Sequence, residues 1–168
     1  MEGNNIRIVT TGVLVTAMLL WGCPDYLQTS GLRVALSYHL FHVNVFHLAA
    51  NLLSVWIIFA KGRQYSWRSL LTAYVIATLS WYCTSAPVAG ISNMIFALLG
   101  LRTPSLSDKW WRTSSVLTFL AVTAGMAFVP KISTGTHLMS FVMGVVWAII
   151  QRFINKTSRD YSRASYNQ

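Results

Sequence analysis

Residues Gly90–Gly100 read Gly-Ile-Ser-Asn-Met-Ile-Phe-Ala-Leu-Leu-Gly and place one hydroxyl, that of Ser92, at the start of an otherwise apolar run. The run is shorter than the ~20 residues that cross a bilayer core. A short membrane helix is tolerated where protein rather than lipid surrounds it. The stretch therefore predicts a short central helix. Taken alone, Ser92 is as compatible with a structural role, bonded to its own backbone, as with a chemical one.

The composition indicates a polytopic membrane protein. The 168 residues are 54% hydrophobic and 10% charged, with a mean hydropathy of +0.50, whereas soluble domains carry about 25% charged residues. The formal charge is +9. Its basic residues fall in short gaps between apolar runs, which favours membrane topology over nucleic-acid binding, since the latter needs a basic face with aromatic platforms.

Six apolar segments follow one another with gaps of only a few residues, so no soluble domain fits between them. We expect a single membrane domain over residues 1–168, ending in a basic cytoplasmic tail at 152–168. Short loops and the lack of a recognisable signal peptide favour a bacterial inner membrane. The predicted spans are roughly 8–22, 35–60, 67–83, 88–101, 113–129 and 132–151.

The basic residues predict the orientation of these spans. With the N-terminus inside, 11 of the 13 Lys and Arg residues lie on the cytoplasmic side, and only Arg33 and Lys131 lie outside. This distribution follows the positive-inside rule. The sequence thus predicts an all-α bundle of six transmembrane helices with both termini inside.

In this topology the even-numbered spans begin at the outer face, and their polar residues converge in the outer half of the bilayer. Polar groups at such depth are costly and usually functional. Those concerned are His39, His42, His47 and Asn51 in the second segment, Ser92 in the fourth and His137 in the sixth.

The residue types restrict the chemistry. All four acids (Glu2, Asp25, Asp108 and Asp160) lie outside the predicted spans, which excludes an intramembrane aspartyl mechanism. No glutamate follows a histidine, which excludes a His-Glu-x-x-His metal site. A zinc site built from His39, His42 and His47 is left open by composition. However, His42 and His47 would point about 140° apart on one helix, so we expect no metal.

Ser92 with His137 fits nucleophilic catalysis without a third member, since a serine needs an adjacent base and histidine is the commonest one. Free backbone N–H groups and the dipole at a helix start favour an oxyanion beside Ser92. His47 and Asn51, four residues apart, share a helix face and are candidate oxyanion donors. The alternative is that His47, Asn51 and His137 only hydrogen-bond between helices.

Three motifs resemble those of the rhomboid intramembrane serine proteases, in the same order and over essentially the whole chain. His42-Val-Asn-Val-Phe-His47-Leu-Ala-Ala-Asn51 is similar to the second transmembrane helix of that family. Gly90-Ile-Ser92-Asn93, followed by Phe96-Ala-Leu-Leu-Gly100, resembles its Gly-x-Ser-Gly motif. Thr136-His137-Leu-Met-Ser140-Phe-Val-Met-Gly144 resembles its sixth helix.

The resemblance implies a cofactor-independent serine endopeptidase that cuts transmembrane protein substrates in or near the bilayer. It implies that Ser92 is the nucleophile and His137 the base, with His47, Asn51 and the Ser92 N–H around the oxyanion. It also implies that Gly144 permits close helix packing. The oligomeric state is left open.

Several positions depart from the family pattern. Asn93 replaces a glycine after the nucleophile, Ser140 replaces a glycine, and Phe96 stands where many members have a tyrosine. The first loop is short, and Arg63 replaces a common glutamate. The alternative function is therefore a weak or inactive relative that binds membrane clients. A channel or transporter is disfavoured, because intramembrane charges and paired broken helices are missing from the sequence.

The two cysteines, Cys23 and Cys83, end the first and third predicted spans on the outer side. A disulfide there would require Cα atoms within about 7 Å. Because these spans need not be neighbours, we expect two free thiols.

Overall fold

The computed structural model describes residues 2–21, 32–60, 66–84, 89–103 and 133–166. Within these ranges all regular structure is helical, in agreement with the predicted all-α class. The fifth predicted span, 113–129, lies outside the described residues. The helices are α1 (Glu2–Trp21), α2 (Leu32–Ser37), a 3₁₀ helix (Tyr38–Leu40), α3 (Val45–Ala60), α4 (Trp67–Thr84), α5 (Ser92–Arg102) and α6 (Thr134–Tyr166).

Two of the described helices are long and apolar enough to cross a membrane. They are α1, over Asn4–Trp21, and α6, over Thr134–Ser158. A third span results if the bent pair Arg33–Leu40 and Val45–Phe59 is counted as one. Large apolar side chains point outward, among them Leu19 and Phe46, which are 79% and 85% exposed. Outward-facing apolar surface on long apolar helices indicates an integral membrane protein.

The predicted second span, 35–60, is not one continuous helix. Its two parts meet at an angle of 81°, and residues 41–44 between them are not helical. Asn44 explains where the second part begins: its Oδ1 accepts the N–H of His47 at 2.9 Å and its carbonyl accepts that of Leu48 at 3.1 Å. A side-chain oxygen that bonds the third helical N–H is a helix N-cap. Asn44 therefore starts α3 and separates it from the preceding segment.

The short helix α5 occupies the centre of the described bundle. It packs most extensively against α6, and next against α4. Most of its side chains are buried, which removes the need for it to cross the bilayer in contact with lipid. The buried residues are Asn93, Met94, Ile95, Phe96, Ala97, Leu98 and Gly100.

Two glycines allow α5 and α6 to touch through their backbones. A Cβ atom on Gly100 would collide with the carbonyl oxygen of Phe141, and one on Gly144 would lie 2.5 Å from the carbonyl oxygen of Ala97. Any larger residue would push the two helices apart. This contact fixes α6 against α5 two turns after Ser92 and His137 along the two helices.

Candidate active site

Ser92 is the first residue of α5 and is only partly buried. Ile91 is the N-cap residue of α5, and its carbonyl accepts the N–H of Ile95 at 3.1 Å. The first N–H groups of a helix have no partner inside it and carry the positive end of the helix dipole. Ser92 thus combines an accessible hydroxyl with backbone donors that can stabilise negative charge.

His137, in the first turn of α6, contacts Ser92 directly. Its Nε2 lies 2.7 Å from Ser92 Oγ, and its Nδ1 lies 2.7 Å from the backbone carbonyl of Ser133. A carbonyl can only accept, so Nδ1 carries the hydrogen of the neutral ring. Nε2 is then the acceptor for the serine hydroxyl. The ring is held in the tautomer that a general base for Ser92 requires.

The surroundings of His137 hold the ring in place. His137 is 4% exposed, and its ring packs edge-to-face on Phe96, with centroids 4.9 Å apart. Next to it Thr136 is fully buried, and its hydroxyl lies 2.7 Å from that of Thr84 on α4 and 2.5 Å from that of Ser133. Phe96 therefore supports one side of the His137 ring, and the hydroxyl pair of Thr84 and Thr136 connects the start of α6 to α4.

His47 and Asn51 lie on one face of α3, which meets the loop before Ser92 at Gly90. His47 Nδ1 accepts the N–H of Val43 at 3.4 Å, so the proton of the neutral ring is on Nε2. Asn51 is 6% exposed, and its Nδ2 has no hydrogen-bond partner among the described residues. Both side chains thus keep an N–H that no described protein atom accepts.

Gly90 is where α3 and the Ser92 loop meet. Its φ is +92°, in the region that favours glycine. A Cβ atom there would lie 2.9 Å from Asn51 Nδ2 and 2.9 Å from His47 Cε1. The glycine two residues before Ser92 therefore lets the loop approach both candidate oxyanion donors.

His42 and His39 lie elsewhere than predicted, because the prediction treated residues 35–60 as one helix. His42 precedes α3 and is fully buried. Its ring centroid is 5.2 Å from that of His47, so the predicted divergence of about 140° is wrong. The reason is the break at residues 41–44. His39 turns toward α4 instead, where its Nε2 is 3.3 Å from Thr78 Oγ1.

Tyr38 makes hydrogen bonds near Ser92 in the sequence that the sequence pattern did not predict. Its hydroxyl donates to the Ala77 carbonyl on α4 and accepts from Asn93 Nδ2 on α5, both at 3.0 Å. Its carbonyl accepts the N–H of Gly90 at 3.0 Å. No periodicity marks such a residue, since the partners lie far apart in sequence. Ser133, whose carbonyl orients His137, was also missed, although its position four residues before His137 at a helix start was a usable signal.

The described residues contain no group of three or more His, Cys, Asp or Glu side chains that could hold a metal ion. Cys83 is an exposed free thiol, whereas Cys23 lies outside the described residues. Arg63 and most of the short first loop also lie outside them.

A family model described as "Rhomboid domain" matches residues 30–152, which is most of the chain. No curated protein matches the chain closely enough to count as a relative. The matched range includes α2 to α5 and the first half of α6, and therefore Ser92, His137, His47 and Asn51.

Proposed function

The chain belongs to the rhomboid family, and from that membership we propose that it is an intramembrane serine endopeptidase with Ser92 and His137 as its catalytic dyad. Rhomboids are generally serine proteases that act on transmembrane substrates. The proposal extends this activity to the present chain and assigns its residues.

One observation carries the proposal: the 2.7 Å contact between His137 Nε2 and Ser92 Oγ, with Nδ1 held by the Ser133 carbonyl. A serine hydroxyl is a weak nucleophile unless a positioned base takes its proton. Here a backbone carbonyl orients the base, a task that a carboxylate performs in catalytic triads. This arrangement accounts for a dyad without an acidic third member.

The reaction begins when Ser92 Oγ attacks the scissile carbonyl carbon and His137 Nε2 takes the hydroxyl proton. Negative charge develops on the carbonyl oxygen, toward which the Ser92 N–H, His47 Nε2–H and Asn51 Nδ2–H are available as donors. Collapse of the tetrahedral intermediate breaks the C–N bond, and His137 passes its proton to the leaving amine. Water, activated by the same histidine, then hydrolyses the acyl-enzyme to release the acid and restore the Ser92 hydroxyl.

The proposal includes six spans with both termini inside and a site in the outer half of the bilayer. The distribution of basic residues supports this orientation. Substrates would then be transmembrane proteins that enter from the bilayer, and the host membrane would be a bacterial inner membrane.

The test uses the purified full chain in proteoliposomes with a model transmembrane substrate. We expect Ser92→Ala and His137→Ala each to abolish cleavage while the thermal unfolding temperature stays close to that of the wild type. Ser140→Ala is the matched control. Ser140 is fully buried on α6, and its hydroxyl has no partner among the described residues, so its loss should leave cleavage unchanged.

Equal cleavage by wild type and Ser92→Ala would overturn the proposal. Binding of the substrate without cleavage by any of the proteins would instead support the alternative, an inactive relative that holds membrane clients.

A further inference from the structure

We propose that Tyr38 is a positioning residue for the nucleophile: through Asn93 and Gly90 it fastens the start of α5, and hence Ser92, to α4. The effect that we expect on the rate of cleavage rests on the proposed function. The role of Tyr38 in holding the start of α5 against α4 does not depend on any activity.

Tyr38 bonds to residues that precede and follow Ser92 in the sequence. Its carbonyl holds the N–H of Gly90, two residues before Ser92, and its hydroxyl holds the amide of Asn93, one residue after it. The same hydroxyl donates to the Ala77 carbonyl. Asn93 Nδ2 donates, the Tyr38 hydroxyl accepts from it and donates in turn, and the Ala77 carbonyl accepts, so the three groups are chemically consistent.

This chain of bonds is fully enclosed. Tyr38 is 0% exposed and Asn93 is 1% exposed, so water cannot replace a lost partner. Removal of one partner in a buried pair leaves the other unsatisfied, which costs far more than the net value of the bond. The start of α5 therefore has one preferred position, set by α4.

The position matters because the Ser92 Oγ contact with His137 and the approach of Gly90 to Asn51 both depend on where α5 begins. The Tyr38 bonds fix the start of α5 relative to α4, while Gly100 and Gly144 allow α5 to pack closely against α6. Asn93, in place of the family's usual glycine, is then the residue through which α4 is connected to the nucleophile. A glycine at position 93 could not make this bond.

Tyr38→Phe removes the hydroxyl and keeps the ring, so it breaks both side-chain bonds with little change in packing. Tyr74→Phe is the matched control. Tyr74 lies on α4, and its hydroxyl donates to the Leu36 carbonyl at 2.8 Å, but no hydrogen bond among the described residues connects it to α5.

The first measurement is hydrogen–deuterium exchange of the full chain in detergent micelles. We expect Tyr38→Phe to speed exchange of the backbone amides at residues 90–95, whereas Tyr74→Phe leaves them unchanged. Asn93→Ala should reproduce the effect from the other partner, and it serves if Tyr38→Phe does not fold. Unchanged exchange at residues 90–95 in both Tyr38→Phe and Asn93→Ala would overturn the inference whether or not the protein is a protease.

The second measurement is steady-state cleavage. We expect Tyr38→Phe to lower kcat by about tenfold to a hundredfold, as for a displaced catalytic group, with KM unchanged and Tyr74→Phe close to wild type. The double variant Tyr38→Phe with Asn93→Ala should lose no more than the worse single variant, because both act through one bond. An active wild type whose kcat is insensitive to Tyr38→Phe would refute the positioning role. An inactive wild type would refute the proposed function instead, and the exchange data would still decide whether Tyr38 fastens α5.

Discussion

The residues around Ser92 owe their chemistry to single hydrogen bonds that fix which nitrogen carries a proton. The Ser133 carbonyl makes His137 Nε2 an acceptor, and the Val43 N–H makes His47 Nε2 a donor. Two histidines with the same intrinsic properties thus receive opposite roles from their backbone partners. The roles we assign to them follow from these partners and not from the residue type.

In the proposed site Asn51 supplies one hydrogen-bond donor to the oxyanion. We expect Asn51→Ala to reduce kcat by ~10²–10³, the usual cost of removing one oxyanion donor, with cleavage still detectable because His47 and the Ser92 N–H remain. Steady-state kinetics on a model substrate would measure it. An unchanged kcat would show that Asn51 only bridges helices.

Gly90 is the other residue whose substitution has a calculable local effect. Gly90→Ala forces a Cβ into a φ of +92° and into contact with Asn51 and His47. We expect it to destabilise the protein by about 1–2 kcal/mol from backbone strain alone and to abolish cleavage. Thermal unfolding in detergent would measure the first effect and substrate cleavage the second.

Gly12→Ala is the control for that substitution, because nothing lies within 4 Å of a Cβ at Gly12 in α1. It should leave cleavage intact and raise stability slightly, as alanine does in helix interiors. Equal stability of the two variants would contradict the strain at Gly90.

Among the helices, the contact between α5 and α6 has the greatest influence on the site. Ser92 is on α5 and His137 on α6, so their 2.7 Å contact depends on how closely the two backbones approach. Gly100 and Gly144 set that approach in the following turns. Small residues commonly bring membrane helices together, and here they bring Ser92 to His137.

Gly144→Val tests this contact between helices. The added side chain would displace the Ala97 carbonyl, separate α5 from α6 and lengthen the Ser92–His137 contact. We expect cleavage to fall below detection and the unfolding temperature to drop. Gly135→Ala on the same helix, where a Cβ meets nothing within 4 Å, should behave like the wild type. Retained cleavage in Gly144→Val would show that the close approach is not needed.

At the scale of the whole molecule, the proposed orientation in the membrane decides from which side the site is reached. Basic residues predict both termini inside, with the Ser92 end of α5 and the start of α6 toward the outside. Cys83 reports on this because it is an exposed free thiol close to the end of α4.

In a Cys23→Ser background, we expect Cys83 in intact cells to react with a membrane-impermeant thiol reagent added from outside. A cysteine introduced by Ser158→Cys with Cys83→Ser, near the opposite end of α6, should react only after the membrane is permeabilised. Mass spectrometry or a gel shift would read both. The reverse labelling pattern would overturn the N-in orientation.

By itself the sequence determined the class of protein and predicted most residues of the candidate site. Long apolar runs separated by basic gaps require a helical membrane protein because a bilayer satisfies no backbone polar group. The spacing of His47 with Asn51, the serine at the head of a short apolar run, and His137 in the sixth run were all readable, because local chemistry and helical period act over a few residues.

The tertiary structure alone decided how these groups meet. The 81° break at residues 41–44 brings His42 beside His47, and Asn44 was readable as a cap only once that break was known. The Tyr38 bonds to Ala77 and Asn93 join residues 39 and 55 positions apart. Such contacts leave no periodic trace in a sequence, because they depend on how whole helices pack and not on the propensity of any segment. The same packing, through Gly100 and Gly144, sets the distance between Ser92 and His137.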